Sequence, residues 1–430
     1  MRILIRAVQI ADPASVYDGK QADILIENGI IQQVETAIDA TADLEIQAGG
    51  YIASPGWLDA YATCGEPGEE WKEDLQSLAK AAAAGGFTSV AVRSGLHPVA
   101  DNASAITSLV QKGENLPVNV LPLGTLTTAG DGKEMAELFD MMENGATGFT
   151  DGEHPIASTG LITRILEYSR DMKKPVYFFP MDKELAPGGK MHEGLVSTSL
   201  GLKGMPVISE TAPLEAFLKI AQWLKAPARI NGISSAASVD AIKAARAAGV
   251  DVRVTVPVFN LLFTDEALEQ FDENHKVLPP YRTAKDKQAL VQAVSDGIID
   301  AVVSNHQPQD IENKAVEFDY AAWGASSVQT VLQALVAAGM TDLRFIYAAL
   351  VSGPRKFMGL PVPGIAQGQP ADITVFSTTT AWEFSQQNDF SKGVNNPLRG
   401  QTLKGQVLGT VCKGAWHPNS AVNVVSASGK

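Results

Sequence analysis

Hydrophobic and polar residues alternate with a period of two at the start of the chain. Residues 2–10, 22–27 and 30–35 read as short strands, broken by DPASVYDGKQ and by ENG. Asn28-Gly29 sits between two apolar runs, which is the chemistry of a tight hairpin. Near the other end, PADITVFS (370–377) and GQVLGTVCKGAW (405–416) are again β-rich. Both ends therefore predict one small β-domain assembled from separated segments, residues 1–53 and 362–430.

In residues 54–361 the pattern changes. Short apolar strands alternate with helical stretches, the signature of parallel βα units. Eight strands are predicted, at 56–62, 87–93, 118–124, 147–150, 175–180, 228–234, 251–256 and 300–305. Helices follow, for instance at 73–86, 238–249 and 284–297. Eight strand–helix repeats over about 300 residues is the arithmetic of a (β/α)8 TIM-type barrel. A doubly wound open sheet is the competing fold. It usually carries a Gly-rich phosphate turn after its first strand, and PGWLDAYATCG has none. The expected fold is α/β: a (β/α)8 barrel with a small composite β-sandwich from both termini.

Composition narrows the partners more than the fold. Apolar residues make up 45% of the 430, enough for a core of ordinary size. A net charge of −14 disfavours nucleic acid and anionic membrane as partners. No apolar run reaches the roughly 18–20 residues needed to span a bilayer. The opening MRILIRAVQIADP alternates where a signal peptide has one long apolar block. The only cysteines, Cys64 and Cys412, form no spaced motif. A reduced, cytoplasmic protein is expected.

In a barrel of this kind the reacting groups project from the C-terminal strand ends. Those ends offer Asp59, Tyr61, Thr63, Cys64 and Glu66, then Arg93 and Ser94, then Asp151. Later strands offer Phe178, Phe179 and Asp182; Asn231, Gly232 and Ser234; Phe259 and Asn260; and Asn305 with His306. A catalytic zinc needs about three ligands, mostly imidazole, carboxylate or thiolate. None of the six histidines forms a His-x-His or His-x-x-x-His pair, and only His306 lies on a predicted strand end. Asp151 before Gly152 reads first as a turn or cap, and Cys64 first as a small buried hydrophobe. His306 is either a backbone-satisfied histidine or a functional one. No Gly-x-Ser-x-Gly elbow or P-loop is present.

Several blocks, in order, resemble the class I dihydroorotases of the amidohydrolase superfamily. PGWLDAYATCGEPGEEWKED is similar to that family's strand-one block, Asp-x-His-x-His followed by Leu-Arg-Glu-Pro-Gly. AAAAGGFTSV, GATGFTDG, GGKMHEGLVSTSLGLKGMP, NHKVLPPYRT, DGIIDAVVSNHQPQ and GQPADITVF each resemble a further block. The resemblance covers nearly the whole chain and implies the barrel and composite β-sandwich expected above.

The departures fall on the positions that carry chemistry in the family. Tyr61 and Thr63 stand where the first two metal histidines would be, Phe179 and Gly232 where the strand-five and strand-six histidines would be. Asn305 replaces the strand-eight aspartate, which touches metal and transfers the proton in active relatives. Asp151 is the one metal-ligand position kept. Among substrate positions, Gly65 replaces an arginine, Gly95 the Asn of Met-Pro-Asn-Thr, Leu278 an Asn, and Gln309 a His, while His306 survives. Phenylalanine and glycine offer no lone pair, and Tyr or Thr hydroxyls are poor neutral ligands. Asn305 cannot accept a proton at neutral pH.

The resemblance implies a degenerate dihydroorotase homologue, a pseudoenzyme with no cofactor. Its expected role is that of a non-catalytic partner or scaffold for aspartate transcarbamoylase in pyrimidine biosynthesis, as a homo-oligomer. The alternative is an active cyclic amidohydrolase with a rebuilt site, in which Cys64, Asp59, Asp151 and His306 converge and hold zinc or act without it. A third reading makes Tyr61, Phe178, Phe179 and Phe259 the aromatic walls of a binding pocket, or the plug of a filled one.

Overall fold

The computed structural model describes residues 1–94, 98–172 and 174–419. All eight barrel strands are present: β1 (Trp57–Cys64), β2 (Phe87–Ser94), β3 (Asn119–Gly124), β4 (Gly148–Phe149), β5 (Tyr177–Phe178), β6 (Ala228–Ile230), β7 (Val252–Pro257) and β8 (Ala301–Val303). β1 to β4 form one parallel sheet and β5 to β8 another. Single parallel bridges, Phe149 with Val176 and Ala62 with His306, join the two sheets into a ring. At the second seam the Thr63 N–H donates to the His306 carbonyl at 2.8 Å.

Strands such as VRVTVP and AVV read as apolar runs because both of their faces are covered. Outside lies the helix layer. The helix Leu75–Ala84 starts at Asp74, whose side chain accepts from the Ser77 N–H, and its alanines let it sit close on the barrel. Inside, Leu58, Ala91, Leu123, Tyr177 and Val303 meet Phe357 and Met358 of the helix Gly353–Met358. Those two residues lie beside Pro175 and Pro227, which precede β5 and β6, so the interior is stoppered at its N-terminal end. The C-terminal end is left as the mouth.

The two ends of the chain build one mixed eight-stranded sheet, as the alternation predicts. Asn28 and Gly29 both take left-handed φ, 50° and 79°, as a two-residue hairpin turn requires. Among the described residues no helix is long and apolar enough to cross a membrane.

Two excursions shape the mouth. After β5 the chain forms paired short strands, Met191–His192 and Gly204–Met205, around the helix Leu195–Leu200. Between strands Ile373–Glu383 and Thr402–Cys412 the chain leaves the terminal sheet and packs on the barrel. Phe384 and Leu398 join the main core there. Asn395 accepts from the Gln309 N–H at 2.9 Å and donates to the Gln307 and Gly324 carbonyls at 3.0 and 2.9 Å.

Candidate functional site

β1 carries Tyr61 and Thr63 to the mouth. Tyr61 turns inward, 1% exposed, and its hydroxyl has no hydrogen-bond partner among the described residues. Burial raises its pKa, so the phenol stays neutral. The Thr63 hydroxyl donates to the His306 carbonyl at 2.9 Å. Phe179, just past β5, packs with Met181, Ala186, Met205 and Leu278. Gly232, past β6, has the Phe179 ring and Pro279 each 3.6 Å from where its side chain would begin. Asn305 donates its side-chain N–H to the Leu278 carbonyl at 3.0 Å. Of the positions of the family's histidines, one is filled by the Phe179 ring, one by a neutral phenol, one by a hydroxyl already bonded and one by no side chain at all, and burial of the Phe179 ring contributes about 1.5–3 kcal/mol to the fold.

Asp151 is occupied elsewhere. One oxygen accepts from the backbone N–H groups of Leu126 and Thr127 at 2.8 and 3.1 Å, the other from the Thr127 hydroxyl at 2.7 Å. Burial raises its pKa and these bonds oppose the rise. Both oxygens thus hold the turn at 126–127. Gly65 leaves no room for the family's arginine, since a Cβ there would lie 2.2 Å from the Glu69 carbonyl oxygen. Among the described residues no group of three His, Cys, Asp or Glu is placed to hold an ion. This donor set does not fit a divalent catalytic metal.

Cys64, Asp59, Asp151 and His306 do not converge. Asp59 is fully buried, accepts from the Ser304 N–H at 3.1 Å and the Tyr61 N–H at 3.3 Å, and also bonds the Ser304 hydroxyl. Burial pushes its pKa up to about 6. Cys64 borders the mouth, but its thiol faces the Glu73 carbonyl at 3.6 Å and burial pushes it well above the ordinary range. His306 is 0% exposed. Its Nδ1 accepts from the N–H groups of Ser327 and Val328 at 3.0 and 3.3 Å, which assigns the proton to Nε2, 3.3 Å from Glu73. Glu73 also accepts from the hydroxyls of Ser77 and Ser391 and from the Lys392 N–H. His306 is thereby a pin between the barrel and the returning segment, and it does not line the mouth. No aromatic wall forms either. Phe178 stacks on Phe217 of the outer helix Ile208–Leu224 with centroids 4.4 Å apart, Phe259 lies in the outer core, and only Phe179 joins the mouth cluster.

What the mouth does present is a pair of joined cavities. The larger, about 450 Å³, has an apolar side of Met181, Met205, Leu278 and Trp323. Its polar side includes Glu153, His154, Gln307 and Gln309, and those four also border a smaller chamber of about 110 Å³ with Arg93, Thr63 and Gly65. Gly95 lies outside the described residues. Arg93, at the end of β2, is 6% exposed and its Nε has no partner among the described residues. Burial raises the pKa of Glu153 while Arg93 opposes the rise. Glu153 lies beyond the end of its strand and is not among the strand-end candidates, while Arg93 is one strand-end residue among many. Its signal is a cation where the resembling family's block has a methionine.

Residues 50–222 match the family model described as Dihydro-orotase-like. A protein described as dihydroorotase from Syntrophus aciditrophicus is 35% identical over 422 residues, covering 96% of this chain and 98% of that one. A second, from Geobacter metallireducens, is 35% identical over 419 residues, with 96% and 99% covered. Among solved structures, the L-hydantoinase (dihydropyrimidinase) from Arthrobacter aurescens superposes with a TM-score of 0.82 at 19% identity, covering 96% of this chain and 95% of that one. The D-hydantoinase from Thermus sp. gives 0.82 at 19%, covering 100% and 98%. At that identity the likeness speaks for the fold alone, and it is the barrel-plus-terminal-sheet architecture described above.

Proposed function

The chain belongs to the dihydroorotase family of the amidohydrolase superfamily, and from that premise we propose that it is a non-catalytic member, needing no resident metal and acting as a partner or scaffold of aspartate transcarbamoylase in pyrimidine biosynthesis. The observation that carries the loss of catalysis is the donor set. Four ligand positions are Tyr61, Thr63, Phe179 and Gly232, and the fifth, Asp151, has both oxygens bonded to the 126–127 turn. A metal-assisted opening of a cyclic amide needs a cation to polarise the carbonyl and to supply hydroxide near neutral pH. It also needs a base, and the Asn305 side chain is an amide already donating to Leu278. Support for the partnership is the resemblance alone: a fold kept with its reaction lost implies selection for something other than turnover.

The test is a dihydroorotate assay on the purified chain with and without added zinc, beside metal quantification and pull-down of a transcarbamoylase from the source cell. The expected result is no turnover above background in either condition, zinc well below one per chain, and a co-purifying transcarbamoylase. Turnover that a chelator abolishes and zinc restores would overturn the loss of catalysis. Absence of the transcarbamoylase would overturn the partnership alone.

A further inference from the structure

We propose that the mouth binds a small apolar α-amino acid, seated as its zwitterion between Arg93 and Glu153. Such binding is independent of the transcarbamoylase partnership. Four side chains bordering the joined cavities each carry a buried polar atom with no hydrogen-bond partner among the described residues: Arg93 Nε, Glu153 Oε1, Gln307 Oε1 and Gln309 Oε1. Buried polar groups are satisfied in the great majority of cases, and each exception costs about 1–3 kcal/mol. Four around one cavity with an apolar wall opposite is the layout of a small-molecule site.

The chemistry of the four atoms sorts the ligand. The Gln307 amide N–H donates to Glu153 Oε2 at 2.8 Å and the Gln309 amide N–H to the Trp323 carbonyl at 3.0 Å. Their oxygens are therefore the ends left over, and with Glu153 they offer three acceptors, matching the three N–H bonds of an ammonium group. Arg93 offers the planar fork that a carboxylate takes. Its side chain makes no ion pair or hydrogen bond among the described residues, although it and Glu153 border the same chamber. A lone anion would meet Glu153 and a lone cation would meet Arg93. A ligand carrying both charges satisfies both. Met181, Met205, Leu278 and Trp323 then receive an apolar side chain in the larger cavity.

The other cations of the mouth are engaged or peripheral. Lys72 pairs with Glu69 at 2.7 Å, and Lys183 stands exposed on the rim. Arg93 is held in place by a glycine. A Cβ on Gly152, whose φ is +63°, would lie 2.8 Å from the Tyr61 hydroxyl and 2.9 Å from Arg93 Nε. Only glycine lets the guanidinium lie across this position, with the unpartnered Tyr61 hydroxyl beside it.

The test is calorimetric titration of the full chain with L-leucine, L-methionine and L-phenylalanine. Controls are 3-methylbutylamine, 4-methylpentanoate, glycine and dihydroorotate. The expected result is saturable binding of at least one of the three amino acids, with L-leucine at least about tenfold tighter than either single-charge analogue. Arg93→Met and Glu153→Gln should each weaken the best amino acid about tenfold or more, Arg93→Lys less than Arg93→Met, and Arg93→Met should tighten 3-methylbutylamine instead of weakening it. Thermal unfolding of each variant checks that it is folded. The proposal is overturned by no saturable binding of the three amino acids, by single-charge analogues or dihydroorotate binding as tightly, or by a folded Arg93→Met with unchanged affinity.

Discussion

Two arginine–glutamate combinations stand at the C-terminal side of this barrel, and they are opposites. Arg282 and Glu210 lie 3.3 Å apart with side chains 1% exposed each. Glu210 accepts from the N–H groups of Ser234 and Ser235 at 3.0 and 3.1 Å, and from the hydroxyls of Ser235 and Ser238 at 2.9 and 2.5 Å. Arg282 gives its remaining donors to Ser234 at 3.0 Å, the Met205 carbonyl at 3.0 Å and His192 Nδ1 at 3.1 Å. Burial works against the Glu210 charge, yet Arg282 and the serines hold its pKa below the ordinary range. Arg93, also buried, and Glu153, half-buried, are the same residue types, but they are unbridged and each keeps an orphan atom among the described residues. A saturated pair fixes a fold. An unsaturated one beside a cavity fixes a ligand, and amino-acid binding at the mouth stands or falls with that distinction.

Breaking the saturated pair should have the largest effect. Arg282→Met leaves Glu210 as an uncompensated buried charge, and the expected loss is about 3–5 kcal/mol in urea unfolding. The acid limb should move with it. Because the folded-state pKa of Glu210 is depressed, its contribution is present above the unfolded carboxylate range and is lost as pH falls through the folded value. The variant should lack that acid-dependent loss.

Glu73 tests the same rule at a third place. Its carboxylate receives the Ser77 and Ser391 hydroxyls, His306 Nε2 and the Lys392 backbone N–H, with no Lys or Arg side chain among them. Glu73→Gln removes one acceptor oxygen and turns an N–H toward donors, so about 1–3 kcal/mol is expected. The local readout is sharper. Hydrogen exchange should quicken at Ser391 and Lys392, because they anchor the segment between the last two long strands.

Lys276 and Lys314 lie between the two extremes, with hydrogen bonds but no ion pair among the described residues. Lys276 donates to the Phe318 and Asp319 carbonyls at 2.6 and 3.1 Å, and Lys314 to the Ala322 carbonyl at 2.8 Å. Burial pulls their pKa values down to about 8 and about 7. A lysine lowered on folding binds its proton less tightly in the native state, so stability should rise with pH from about 7 toward the unfolded value. Lys314→Met should flatten that rise between pH 7 and 9, measured by unfolding midpoint.

The same contrast separates what residue order encodes from what it hides. Eight apolar strand runs and the Asn28-Gly29 turn come from local patterning, so the barrel and the terminal hairpin are legible in residue order alone. The unsuitability of Phe179 and Gly232 as ligands is legible too, because it follows from atom types. Satisfaction of a polar group is not local. Asp151 reaches Leu126 and Thr127 across 25 and 24 residues, and His306 reaches Glu73 across 233. Whether Arg93 meets a carboxylate depends on where β2 and the turn after β4 end, which no spacing rule records. The bar to an arginine at Gly65 is likewise a backbone approach, made by the Glu69 carbonyl.

The smallest effect on stability belongs to the unsaturated pair. Arg93→Met removes a guanidinium that has no ion pair and no hydrogen bond among the described residues. Replacing a desolvated, unbridged charge by a flexible apolar chain of similar reach forfeits little, and part of the burial cost of the charge is relieved. Glu153 loses an attraction that opposed its burial, so its pKa should rise further and the group take a proton rather than strain the fold. The expected change in unfolding free energy is within about 1 kcal/mol, against the much larger loss for Arg282→Met. A loss for Arg93→Met as large as that for Arg282→Met would mean that both arginines are structural. The orphan atoms of the mouth would then mark imperfect packing and not a recognition surface.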